Sequence, residues 1–139
     1  MREQQNTELV QRAYAAFLRG DIQTVLDSLD DNVVWQAVIG AAPTVPTRGE
    51  RRGKAAVAEF FTQLAATVNF SRFEPREYVA QGDNVVALGH YTATTQVGGS
   101  FDSDFVMIFT IRNGRVVQFR EFLDVAALNA AFAPKAVLA

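Results

Sequence analysis

Glu121 carries the clearest chemical signal in the chain. Alternation along Arg115–Asp124 puts Val117, Phe119, Glu121 and Leu123 on one face, and Gln118, Arg120 and Phe122 on the other. A carboxylate in an apolar row is costly unless it is paired, protonated or turned toward a solvated cavity. Glu121 therefore reads either as a pocket acid or base whose pKa is raised by desolvation, or as the partner of an arginine on a neighbouring element or at a wet strand end. His90, the single histidine, shares a face with Val86, Leu88 and Thr92 and reads as a hydrogen-bonded wall residue or as a donor in a site. Tyr14 is a second candidate donor. Trp35 and Gln36 point to opposite faces of one strand, and Trp35 reads as core or as the flat wall of a pocket.

Other chemistries are excluded by composition. The chain has no cysteine, which removes disulfides, thiolate metal sites and cysteine nucleophiles together. One histidine rules out a multi-histidine zinc site and leaves any Ser-His-Asp triad resting on a single residue. The cluster Arg48, Arg51, Arg52 and Lys54 reads as an anion contact at a helix start or as a solvated charge run. Gly49–Lys54 lacks the spacing of a phosphate loop. Asp102-Ser103-Asp104 has no oxygen-rich surroundings, so neither a metal nor a cofactor is implied. With 13 Lys+Arg against 15 Asp+Glu the net charge is −2, which argues against nucleic acid or an acidic membrane as partner. The opening MREQQNTELV has no apolar leader core, and no apolar run approaches the roughly 18 residues of a membrane span, so a cytoplasmic location is expected.

The elements that must position these residues follow from hydrophobic period. At 139 residues, 49% hydrophobic and 20% charged, the chain is expected to form one domain over 1–139 with its own core. Helical spacing predicts a helix over Thr7–Leu18 stopped by Gly20, and a short helix after Asp21 with Ile22, Val25, Leu26 and Leu29 on its face. Val33–Ile39 reads as a strand, 40–53 as a long loop, and Lys54–Val68 as a third helix. Phe70–Ala80, Asn84–Gln96, Phe101–Arg112 and Arg115–Asp124 read as strands, with Asn113-Gly114 as a tight hairpin turn, and Val125–Phe132 as a last helix. The order ααβαββββα predicts an α+β domain with helices on one face of a curved sheet. Phe105, Met107, Phe109 and Ile111 alternate with Val106, Ile108 and Thr110, so both faces of that strand are apolar. Either a second subunit covers the outer face, making a homodimer, or a monomer is simply well covered.

Ala-Phe-Leu-Arg-Gly-Asp at 16–21, Asp31-Asn32-Val33-Val34-Trp35, Arg51-Arg52-Gly53-Lys54, Gly-Asp-Asn-Val-Val at 82–86 and Phe-Arg-Glu-Phe-Leu-Asp at 119–124 resemble one family. It is the SnoaL-like, ketosteroid-isomerase-related branch of the nuclear transport factor 2-like superfamily, and the resemblance spans essentially the whole chain. It implies a cone-shaped α+β barrel, a strongly curved antiparallel sheet wrapped around N-terminal helices and enclosing an apolar pocket. The fold hosts several chemistries, so function must come from the site. In the isomerases the proton-shuttling Asp matches Gln36, which takes no proton; the buried Asp matches Met107, and the oxyanion Tyr lies one residue out of register with Tyr14. In the polyketide cyclases the acid/base carboxylate matches Glu121, while its partner His again matches Met107. Asp104, of opposite parity, reaches a cavity only through a bulge near Gly98-Gly99.

Two functions remain open from sequence. One is an isomerase- or cyclase-type enzyme without cofactor, with Glu121 abstracting a proton α to a carbonyl and Tyr14 or His90 donating to the enolate oxygen. The other is a binder that holds an apolar small molecule in the same pocket. In either case Phe17, Trp35, Phe61, Phe105, Met107, Phe119 and Leu123 are the expected pocket residues.

Overall fold

A computed structural model describes residues 2–134. Helix α1 (Arg2–Leu18) buries Asn6, Val10 and Tyr14 along one stripe, and Ala16 on another side near its end. It ends where Gly20 takes φ +79 and the Gly20 and Asp21 amides return to the Phe17 and Ala16 carbonyls at 3.0 and 2.8 Å. Asp21 then caps α2 (Ile22–Asp27) by accepting the Thr24 amide. Leu29, expected on that helix, instead opens strand β1 (Leu29–Ala37), because Ser28 ends the helix on the Val25 carbonyl.

Inside the expected loop 40–53 lies a short strand, β2 (Gly49–Arg52), antiparallel to β1 with Trp35 opposite Arg51. Its polar residues carry no apolar alternation, so periodicity could not find it. Helix α3 (Lys54–Thr67) follows and buries Val57, Phe60 and Phe61. The second half is strands β3 (Val68–Gln81), β4 (Asn84–Thr95), β5 (Ser100–Arg112) and β6 (Arg115–Leu123), then helix α4 (Val125–Phe132) capped by Asp124. Asn113 at φ 51 and Gly114 at φ 73 make the expected hairpin turn between β5 and β6.

The six strands form one curved sheet in the order β2-β1-β6-β5-β4-β3. The expectation of an antiparallel sheet holds for every pair but one: β1 and β6 run parallel, with Trp35 beside Phe119. Register shifts interrupt β3 twice and β6 once, and such bulges bend a sheet. The shift in β6 skips Val117, so Val116 is the buried residue there and the inward row is Val116, Phe119, Glu121. Helices α1 and α3 pack across the concave side, against β3 and β4 and against β1 respectively, and α4 closes over β5.

Strict alternation in β4 and β5 sorts the side chains. Val85, Ala87, Gly89, Tyr91 and Ala93 of β4 and Phe101, Ser103, Phe105, Met107, Phe109 and Ile111 of β5 point into the core. Val86, Leu88 and His90 lie on the outer face with Asp104, Val106 and Ile108. At Gly89 a Cβ would sit 2.3 Å from the Glu74 carbonyl oxygen and 2.4 Å from the Phe105 ring, so only glycine lets the β3 bulge and that ring close on β4. Gly89→Ala is expected to cost about 2 kcal/mol of folding stability through overpacking. Urea unfolding measures it, and an unchanged midpoint contradicts this account of the bend.

Candidate functional site

The concave face of the sheet and helices α1 and α3 enclose an apolar cavity whose wall includes Ala13, Tyr14, Phe17, Trp35, Phe61, Phe73, Tyr91, Met107, Phe119, Glu121 and Leu123. About 80 Å³ of it is open to the centre of a water-sized sphere, several times the roughly 10–15 Å³ that one water needs. That is room for a ring-sized molecule. Its walls are aromatic because helices α1 and α3 and strands β1, β3, β4, β5 and β6 each turn at least one aromatic residue inward. Phe17 packs on Phe61, Phe70 and Phe73, and Trp35 stacks on Phe119 at 3.9 Å with the planes 20° apart.

Glu121 is the one charged side chain in this wall and is only 7% exposed. Two donors from different parts of the chain hold it: the Val38 amide donates to Oε1 at 3.1 Å, and the Tyr91 hydroxyl donates to Oε2 at 3.0 Å. The next amide, Ile39, donates to the Glu121 main-chain carbonyl at 3.0 Å, so consecutive residues after β1 clamp both the side chain and the backbone of Glu121. Val38 achieves this at φ 41, a left-handed conformation that a β-branched residue rarely adopts. Burial pushes the Glu121 pKa up, and the Tyr91 and Val38 hydrogen bonds hold it back in part. The Tyr91 hydroxyl is itself driven well above its ordinary value by burial and by the adjoining Glu121 charge.

Of the residues singled out from sequence, Tyr14, Phe17, Trp35, Phe61, Met107, Phe119, Glu121 and Leu123 meet around this cavity. Met107 lies directly across from Glu121, and its sulfur accepts the buried Tyr14 hydroxyl at 2.9 Å. A thioether is a weak acceptor, so this donor is poorly spent. Burial raises the Tyr14 pKa, with further contributions from Tyr78 and Glu121.

Three expectations require correction, and the condition set for Asp104 is not met. Phe105 does not line the cavity; it lies fully buried behind Tyr91 and Phe73, at ring separations of 4.9 and 5.4 Å. His90 is not a site donor either, because Gly89 and Tyr91 hold the inward positions of β4 and force it outward. There its ring nitrogens bond Asp104, at 2.8 Å, and Asp102, and those hydrogen bonds raise its pKa. Asp104 stays outside as well, since β4 and β5 pair without a bulge past Gly98-Gly99. Gln36 likewise faces outward, bonding Glu50 at 3.2 Å, so it does not occupy the place of an isomerase base. Among the described residues no group of three or more His, Asp or Glu side chains is arranged to hold a metal, and no helix is long and apolar enough to cross a membrane.

The basic cluster is committed to structure. The Arg51 guanidinium bonds the Thr47 carbonyl at 2.9 Å and lies 5.2 Å above the Phe60 ring, Arg52 pairs with Glu50, and Lys54 pairs with Asp31. Sequence reasoning missed Tyr91 and Val38. Tyr91 follows from β4 parity once His90 is placed outside. Val38 carried no signal, because its role is an amide in a strained conformation and not a side chain.

The matches to known proteins agree with this architecture. Residues 10–119 match the model of the SnoaL-like domain. That segment ends two positions before Glu121, so the match itself says nothing of the carboxylate. No curated protein matches the chain. An NTF2-like protein from Burkholderia xenovorans is 31% identical, with a TM-score of 0.85 over 94% of this chain and 98% of that one. An NTF2-like protein of unknown function from Burkholderia pseudomallei is 28% identical, with a TM-score of 0.84 over 93% and 98%. TerC, co-crystallized with polyporic acid, is 27% identical, with a TM-score of 0.79 over 92% and 98%. On the strength of the domain match and the shared fold, the chain belongs to the SnoaL-like family of the NTF2-like superfamily.

Proposed function

We propose that this protein binds a small apolar carbonyl compound and moves a proton on it, as an isomerase- or cyclase-type enzyme without cofactor, with Glu121 as acid/base. The observation that carries this reading is a carboxylate buried at the wall of an aromatic cavity with its pKa raised by desolvation. An ionised carboxylate offers about four lone-pair positions, and Val38 and Tyr91 use two, so accepting capacity remains for a substrate proton. In the step proposed, the proton α to the carbonyl passes to Glu121. The C–H electron pair becomes the enolate, and the proton returns to the same carbon or, where a β,γ double bond extends the enolate, to the γ carbon. The Tyr14 O–H, now resting on the Met107 sulfur, turns to the better acceptor that the enolate oxygen provides. TerC, of the same fold, was co-crystallized with polyporic acid, which supports small-molecule binding by this chain.

The alternative is a binder that performs no chemistry. It is favoured by one fact: both Glu121 oxygens already have protein donors, an arrangement suited to orienting a ligand.

We also propose a homodimer through the outer sheet face. Leu88 pairs with Val106, Val86 with Ile108, and Val106 with Phe122, making an apolar strip across β4, β5 and β6 in which Phe122 is 38% exposed. A second copy of the same strip is the simplest cover for it.

Three outcomes check these readings. With 1-indanone in D2O, the protein is expected to accelerate exchange of the C2 protons above the buffer rate, followed by NMR. Glu121→Gln should lower that acceleration by at least about 100-fold while binding persists. Exchange at the buffer rate in the unmodified protein leaves only the binder. The second outcome concerns stability. The Glu121 pKa is higher folded than unfolded, so its favourable contribution is complete below the ordinary 4.5 and is lost as pH rises through the folded value. Glu121→Gln keeps an acceptor for the Val38 amide and retains the Tyr91 contact with its direction reversed, the Gln Nε2 donating to the Tyr91 hydroxyl oxygen that donated to Glu121. It should therefore melt about 3 °C above the unmodified protein near pH ~8, a gap that closes toward pH ~4; a gap that widens in acid contradicts the assignment. Thirdly, sedimentation should show a dimer at micromolar concentration, and Ile108→Glu a monomer. A monomeric parent protein removes the dimer.

A further inference from the structure

Glu121 brings a charge to the cavity that nothing in the described wall cancels. Its two donors, the Val38 amide and the Tyr91 hydroxyl, are neutral, so they occupy lone pairs but leave the charge in place when the group ionises. The described lining residues include no Lys, Arg or His. Arg51 lies 5.2 Å above the ring of the cavity-lining Phe60, but its guanidinium is held by the Thr47 carbonyl at 2.9 Å and by Gln63 at 3.1 Å. Burial and the two hydrogen bonds account for the shifted pKa of Glu121, with no contribution from a cation.

The surroundings of the carboxylate are electron-rich as well. Met107 pairs directly across from Glu121, and its sulfur takes the Tyr14 hydroxyl hydrogen at 2.9 Å. The Tyr91 hydrogen is taken by Glu121 itself. With both phenol hydrogens engaged, the wall retains oxygen lone pairs, a thioether and aromatic rings whose faces carry negative potential, among them Phe17, Phe61 and Phe119. Tyr14 and Tyr91, the other titratable groups of the described wall, have pKa values pushed above the ordinary one, so neither adds charge near neutral pH.

We propose that the cavity binds a small ring compound bearing a protonated amine, whose ammonium group pairs with Glu121 while its ring packs on the aromatic wall. The proposal rests on the reading of the cavity as a small-molecule site, and not on any proton transfer there. Folding has already stripped water from Glu121, so only the ammonium must be desolvated on binding, and its three N–H donors meet an accepting wall. The aromatic faces attract the same cation. A hydrocarbon of equal shape covers the carboxylate and leaves it unpaired, and an anionic ring compound sets like charges together.

The test compares 2-aminoindane, indane and indane-2-carboxylate, which share a ring system and differ in charge. At pH ~8 the amine, with an ordinary pKa of about 10, is protonated. It is expected to bind at least about tenfold more tightly than indane, and the carboxylate more weakly than either. Affinity for the amine should rise with pH through the Glu121 midpoint, and Glu121→Gln should abolish the preference for amine over indane. A measurement on the unmodified protein keeps the test independent of that variant's folding: saturating 2-aminoindane should lower the Glu121 midpoint read from its carboxyl 13C resonance. Three results overturn the proposal: indane binding as tightly as the amine, a midpoint that the amine leaves in place or raises, or no amine binding at millimolar concentration. Amine preference without α-proton exchange of 1-indanone would remove the enzyme reading alone, and exchange without amine preference would remove this proposal alone.

Discussion

One constraint organises the interior: a carboxylate must be kept where water cannot reach it freely. An unpaired buried charge is among the most expensive features a small domain can carry. Glu121 is tolerated because two donors reach it from distant parts of the chain, Val38 just after β1 and Tyr91 in β4. Each imposes a cost of its own. Val38 must adopt a backbone conformation unfavourable for valine, and Tyr91 must be buried beside the charge it bonds. Strain and desolvation concentrated at one point cluster at functional sites, and that concentration is what motivates the reading proposed for Glu121.

The curved sheet makes this possible. The parallel β1–β6 pairing brings the end of β1 alongside Glu121, so the Val38 and Ile39 amides can grip it. The bulge at Val117 resets the parity of β6, placing Phe119 and Glu121 inward in line with Met107 and Phe109 across the hairpin. Helices α1 and α3 then supply Tyr14, Phe17 and Phe61, which line a hollow at the carboxylate without filling it.

Most of the fold was legible in the sequence, because it depends on side-chain period. The helices, the strands and the Asn113-Gly114 turn lie close to where pattern places them, apart from Leu29, which opens β1, and Val117, which the β6 bulge turns out of the inward row. What escaped depends on the backbone or on parity. Strand β2 is made of polar residues and owes its pairing to β1, and the β1–β6 pairing is a choice of topology that no local signal encodes. Glu121 was legible because a charge in an apolar row is an anomaly. His90 was misplaced because the outer face of β4 is itself apolar, so its row looked like a core row until Tyr91 was seen to hold the inner one.

The central claim is that Glu121 is a desolvated carboxylate in contact with whatever occupies the cavity. The 13C resonance of its carboxyl carbon, assigned by its disappearance in Glu121→Gln, tests this directly across a pH titration with and without 1-indanone. The account predicts a midpoint above the ordinary 4.5 that moves when the ketone is added. A midpoint at the ordinary value, unaffected by the ketone, would contradict it.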